Sequence, residues 1–182
     1  MLDEDHVKPL MRLIKLIRQR HGCRSVPNVD PEDGGIHAAA LFLLESPGPK
    51  AVGTYFVSRD NPDPSARNMG CALCQAGFSR KQTLLWNTVP QCISTPTENR
   101  NATRLQVLGA LPDTLAFIAE MVAPKVIVLC GRRAQWQQGA LAREIQIPVL
   151  STYHPAARSW NYEPYREDIL WTFRKARALI DA

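Results

Sequence analysis

Four short runs dominated by apolar residues, each closed by polar or turn-forming residues, constrain this chain more than any other feature. They are Ala38–Leu44, Thr83–Val89, Lys125–Leu129 and Val149–Tyr153. A strand with one face in water alternates apolar and polar residues, whereas a strand covered on both faces does not need to. Runs such as Leu41-Phe42-Leu43-Leu44 and Val126-Ile127-Val128-Leu129 therefore predict strands of a parallel sheet buried between two layers. Helical patterns lie around and between them. Val7 to Gln19 carries Leu10, Leu13, Ile14 and Ile17 at helical spacing with basic residues between. Asn68–Phe78, Ala102–Ala119 (restarting near Pro112), a segment opened by Gly131, and Ile169–Ile180 read the same way. Strands alternating with helices predict an α/β fold: a three-layer α/β/α sandwich with a mainly parallel, four-stranded central sheet. With 182 residues, 45% of them hydrophobic, the chain is expected to form one domain over residues 1–182.

Two of the predicted strands run into loops that carry chemistry. Glu45-Ser46-Pro47-Gly48-Pro49 follows the first, and His154-Pro155-Ala156-Ala157-Arg158-Ser159 follows the last. In open parallel sheets the carboxyl ends of the strands form the ligand crevice. Pro47 and Gly48 predict a tight, rigid turn whose backbone N–H groups approach a ligand closely. Glu45, at the mouth of a buried strand, reads either as a base tuned by desolvation or as a cap of the following helix. His154 reads either as a donor to developing negative charge or as a partner for a backbone carbonyl. After the first strand, a long irregular stretch carries Pro47, Pro49, Pro62, Pro64 and the turn-prone Asp60-Asn61. Loops of that length are commonly functional or disordered. No single motif decides the matter; their convergence on one sheet edge does.

Charge and cysteine content narrow the classes of partner. Lys and Arg number 22 against 17 Asp and Glu, a formal charge of +5 with a pI near 9.1, which permits a polyanionic partner without requiring one. No apolar stretch reaches the ~18–20 residues of a membrane span, and the N-terminus has no signal-peptide core, so a cytoplasmic protein is expected. The five cysteines, Cys23, Cys71, Cys74, Cys92 and Cys130, fit a reducing compartment better than a disulfide framework. Cys71-Ala-Leu-Cys74 has the spacing of a metal or redox pair, but no second close pair exists to complete a site. Both are expected one turn apart on a helix, facing the core.

With the segment Leu84-Leu85-Trp86-Asn87-Thr88-Val89 between them, the two loops resemble the motifs of the uracil-DNA glycosylase superfamily. The resemblance covers roughly Leu41 to Ser159. Glu45-Ser46-Pro47-Gly48 is similar to the water-activating loop of the iron–sulfur branch, Gly-Glu-Ala-Pro-Gly, with Leu44 in place of its first glycine. Ser46 occupies the slot where the classical enzymes carry a catalytic aspartate. The resemblance puts Asn87 at the uracil edge and Met69, in Arg67-Asn68-Met69, where an aromatic lies under the base. Arg158 takes the place of a leucine wedge that enters the duplex. The iron–sulfur branch uses four cysteines, two of them ahead of the first motif; here only Cys23 precedes it and Cys92 is displaced by one residue. No cluster, and no other cofactor, is expected.

The implied activity is monofunctional hydrolysis of the N-glycosidic bond of deoxyuridine in DNA. The expected catalytic residues are Glu45 and His154, with Asp60 or Asp63 on the long loop as substitute water activators. Ser46, Pro47, Gly48, Met69 and Asn87 are expected to bind substrate, and Arg158, Ser159 and Trp160 to contact DNA. Trp160 and Tyr162 read equally well as packing on the C-terminal helix. The partner is uracil-containing DNA, and a monomer is expected. Two rivals stand beside this reading: a non-catalytic uracil or abasic-DNA binder of the same fold, and an unrelated α/β enzyme that cradles phosphate with Pro47-Gly48.

Overall fold

The computed structural model describes residues 3–21, 25–95 and 97–182. Its strands are β1 (Asn28–Val29), β2 (Ala40–Leu44), β3 (Phe56–Val57), β4 (Thr83–Asn87), β5 (Val126–Cys130) and β6 (Val149–Thr152). The helices are α1 (Lys8–His21), α2 (Pro49–Thr54), α3 (Pro64–Gln75), α4 (Arg104–Gly109), α5 (Leu111–Ala119), α6 (Gln138–Glu144), α7 (Ala157–Trp160) and α8 (Glu163–Asp181). The four long strands form one all-parallel sheet in the order β4-β2-β5-β6, and β1 and β3 form a separate two-stranded parallel sheet. All four strands are those expected from the apolar runs. The small sheet was not foreseen, because two residues carry no periodicity.

Register shows why neither face alternates in polarity. Phe42 pairs with Leu85 and Leu43 with Trp86, so these two pairs point to opposite faces. On one face Phe42 meets Phe173 of α8 at 4.7 Å between ring centroids and Phe78 at 5.5 Å. On the other, Trp86 stacks on Phe117 of α5 at 4.6 Å. Helices therefore cover both sides. Leu10, Leu13, Ile14 and Ile17 of α1 are buried in the same core. Fully burying each such side chain stabilises the fold by about 1.5–3 kcal/mol.

Several boundaries shifted for identifiable reasons. Helix α3 begins at Pro64 rather than Asn68, because Asp63 caps it by accepting from Ala66 N–H at 3.0 Å and Pro64 presets the first turn. Helix α8 starts at Glu163, six residues ahead of the apolar pattern, with Pro164 in its first turn. Pro112 likewise opens α5 and separates it from α4. Cys71 and Cys74 are helical, as expected, but exposed rather than core-facing. The buried face of α3 is Ala66, Met69, Ala72 and Leu73, and the cysteine pair lies off that stripe. Among the described residues no helix is long and apolar enough to cross a membrane.

Candidate active site

Because the four strands are parallel, the residues that end β2, β4 and β6 emerge at one edge of the sheet. Following the chain, β2 is joined to β4 on one side, while β5 and then β6 are added on the other. The switch in direction lies between β2 and β5, where a crevice is expected. A cleft of about 250 Å³ sits at this edge, lined by Leu44, Ser46, Pro47, Gly48, Lys50, Val57, Asn61, Asp63, Met69, Leu85, Asn87 and His154 among others. Ser46, Pro47, Gly48, Met69, Asn87 and His154, assigned to the site from sequence, thus converge on one space.

Asn87 is the polar residue of the cleft floor. It ends β4, is 3% exposed, and its Nδ2 has no hydrogen-bond partner. A buried donor left unpaired costs about 1–3 kcal/mol, which an acceptor on a ligand would recover. Asn61, the other amide of the lining, is already committed: its Nδ2 donates to the Phe56 carbonyl at 2.9 Å and its Oδ1 accepts from Thr54 at 2.6 Å. Met69 is 1% exposed and forms an apolar wall with Leu85 and Val57.

His154 is held from two sides. Gly131, at the exit of β5, has φ +99°, and a Cβ there would lie 2.9 Å from the His154 Cβ. Only glycine combines that backbone conformation with so close an approach. On the other side, Asn68 Nδ2 donates to the Pro155 carbonyl at 2.9 Å in a buried bond that ties α3 to the histidine loop. Burial pulls the imidazole pKa down to about 4, against the opposing pull of Asp63. The ring is therefore neutral at pH 7 and carries a single N–H.

The carboxylates divide in a way that composition did not reveal. Glu45 is outside the cleft lining: its Oε1 accepts from Ala102 N–H at 2.6 Å and its Oε2 lies 3.6 Å from Arg133 Nη1. It braces the loop after β2 against the start of α4 and the loop after β5. Asp60 is also outside, its side chain 66% exposed and paired with Arg80 at 2.5 Å. Arg80 in turn binds Asp30 at 2.6 Å and Asp33 at 3.2 Å, and Arg59 binds Asp33 at 3.2 Å and donates to Thr83 Oγ1. Asp33 is fully buried, and burial pushes its carboxyl up to about 7 although Arg59 pulls it down. This network anchors the 58–63 loop and leaves Asp63 as the carboxylate that lines the cleft. Lys50, also in the lining, was not foreseen; it lies on α2, too short to carry a pattern. Arg158 is exposed on α7, Ser159 is half-buried, and Trp160 packs partly against the core.

The cysteines are scattered by the fold. Cys71 and Cys74 are exposed on α3, Cys92 sits in the loop after β4 and Cys130 is buried in β5, while Cys23 lies outside the described residues. Among the described residues no three His, Cys, Asp or Glu side chains are grouped to hold a metal ion. Purified protein should be colourless, and elemental analysis should find well under one equivalent of iron or zinc. About one equivalent of either would assign the cysteines a ligand role.

A parallel sheet with an amide and a histidine at its carboxyl edge defines an α/β protein with a partly polar cleft at its strand ends. The model of the family described as "Uracil DNA glycosylase superfamily" matches residues 31–178, most of the chain. The chain belongs to the uracil DNA glycosylase superfamily. Its fold is similar to the crystal structure of wild-type Pedobacter heparinus SMUG2, with TM-score 0.60 and 12% sequence identity over 80% of this chain and 77% of that one. Comparison with the curated proteins finds no match.

Proposed function

We propose that the chain is a monofunctional uracil-DNA glycosylase that hydrolyses the N-glycosidic bond of deoxyuridine in DNA and leaves an abasic site. The observation that carries this reading is Asn87, a buried amide whose Nδ2 is unpartnered in a cleft with apolar walls. An amide offers a donor and an acceptor side by side, which matches O4 and N3–H of uracil and mismatches the exocyclic amine of cytosine. An enzyme acting on a base must take it out of the stack, at a cost of a few kcal/mol, and read it in a closed pocket. Breaking the glycosidic bond leaves negative charge on the uracil, chiefly at O2, and a neutral His154 donates to it. The sugar becomes oxocarbenium-like, and a carboxylate facing it stabilises that charge and orients water. Asp63, whose Oδ1 caps α3 but whose side chain lines the cleft, takes this role in place of Glu45 and Asp60, which lie outside the lining. Arg158 on the exposed face of α7 is available to the DNA.

The commitment of Glu45 to Ala102 favours one rival, a uracil binder that does not turn over. Release of uracil from a single-uracil oligonucleotide under excess enzyme decides between them. Release is expected; tight binding without release would establish the rival. In the same assay Asp63→Asn should lower single-turnover release by about 10²-fold, because asparagine keeps the helix cap but not the charge. Glu45→Gln and Asp60→Asn should each lower it less than about tenfold, a smaller effect than expected of a general base. Full activity of Asp63→Asn with collapse of Glu45→Gln would return the role to the first motif.

A further inference from the structure

The chain places three exposed tyrosines directly beside the histidine loop, and the reaction above uses none of them. Tyr153 is joined by a peptide bond to His154, and it is 42% exposed. Its ring stacks on Tyr165 of α8 at 3.9 Å between centroids and 15° between planes. Tyr162 meets the edge of Tyr165 at 4.7 Å and 80°. Tyr162 and Tyr165 are themselves 54% and 36% exposed. Exposed aromatic side chains are ordinarily scattered singly, so three linked by ring contacts through Tyr165 need an account.

The cluster is also held in place. Thr152 Oγ1 donates to Asp168 Oδ2 at 2.6 Å, which fixes the end of β6 against α8. Backbone N–H groups of Tyr165 and Arg166 donate to the Tyr162 carbonyl at 3.1 Å. The rings are therefore presented by a braced corner rather than by a free loop. Tyr153 directly precedes His154 at the exit of β6, so the tyrosine cluster and the cleft are built on the same strand end. Arg158, exposed on α7 between His154 and Tyr162 in the chain, is a cation near enough in sequence to meet a phosphate of the same strand.

We propose that Tyr153, Tyr162 and Tyr165 form a stacking platform for the nucleobase adjacent to the one held in the cleft, a second base subsite outside the reaction centre. The proposal rests on the base-reading cleft described above and adds to it a class of substrate: a strand whose bases are already unstacked around the target, as in single-stranded or locally opened DNA. Every base has a face that stacks on an aromatic ring, so the platform is tolerant of sequence.

The test pairs a deletion in the protein with a deletion in the DNA. Single-stranded oligonucleotides with one uracil carry an abasic spacer at each of the two positions on either side in turn, and binding and single-turnover uracil release are measured. For the wild-type chain, a spacer at one flanking position should weaken binding roughly tenfold while the other positions matter little. Tyr165→Ala and Tyr162→Ala should weaken binding to the intact oligonucleotide by a similar factor and should be insensitive to the spacer at that position. Tyr165→Phe should behave as wild type. A mere folding defect would lower binding to all the oligonucleotides alike and would leave the position dependence intact. Equal sensitivity at all positions, or additive losses from spacer and alanine, overturns the platform. So does concentration-dependent dimerisation abolished by Tyr165→Ala, which would assign the patch to self-association. Absence of uracil release from the wild-type chain would instead count against the glycosylase reading, and the spacer pattern would still report on the platform.

Discussion

Replacement of His154 by alanine is expected to lower single-turnover uracil release by about 10²–10³-fold, the usual cost of removing one donor from a developing oxyanion. On the proposed mechanism the donor matters in the transition state, where charge would accumulate on O2, and much less in the ground state. Binding of the uracil oligonucleotide should therefore stay near wild type. The acid dependence of the rate gives a second check. Burial has moved the imidazole pKa from the ordinary 6.5 down to about 4, so His154 is neutral throughout the neutral range and titrates only in strong acid. The pH profile should show no histidine inflection near 6.5. The same shift has a consequence for stability. Between pH 6.5 and 4 the unfolded chain takes up a proton that folded His154 refuses, so its contribution is intact above 6.5 and declines as pH falls towards 4. An inflection near 6.5 that vanishes in His154→Ala would show the ring working as a cation and would overturn this part of the mechanism.

Asn87→Asp is expected to cost about 10³-fold in release, since a pocket built to pair with polar groups strongly rejects a mismatched edge. The carboxylate loses the Nδ2 donor and sets negative charge against O4 of uracil, while it can accept from the exocyclic amine of cytosine. Affinity for DNA as a whole should change little, because phosphate contacts supply most of it. Glycosylase assays on matched uracil and cytosine oligonucleotides, with binding measured in parallel, separate the two effects. Unchanged uracil release would remove Asn87 from base reading.

The two histidine-loop neighbours show where reasoning from the chain stops. Gly131 could be read as a helix opener, yet its tertiary role is to let the His154 backbone pack within a distance that any side chain would close. Asn68 could be read as an ordinary helical residue, yet it bonds to a carbonyl 87 positions away. Contacts at such separations leave no local periodicity. Asp63 is the intermediate case: the Asp63-Pro64 pair is a legible helix start, and a cap at the end of a long loop is a place where a carboxylate is held in a defined orientation.

The sequence by itself determined the class of fold, the four strands and several of the residues that their carboxyl ends bring together. The reason is that burial on both faces writes a continuous apolar signal, and parallel strands put every following loop at one edge. Asn87 and His154 were legible for this reason, each standing at or just beyond the end of an apolar run. Only the tertiary structure decided which carboxylate faces the cleft. Glu45, Asp60 and Asp63 are equivalent in the chain. Glu45 and Asp60 are drawn out of the cleft by partners remote in sequence, Ala102 and Arg133 for the first and Arg80 for the second, whereas Asp63, held locally by its cap to Ala66, stays in the lining. The same holds for the three tyrosines, whose contact depends on the angle at which α8 returns across β6. Charge pairs and ring contacts of this kind are set by packing, and packing is not a periodic property of the chain.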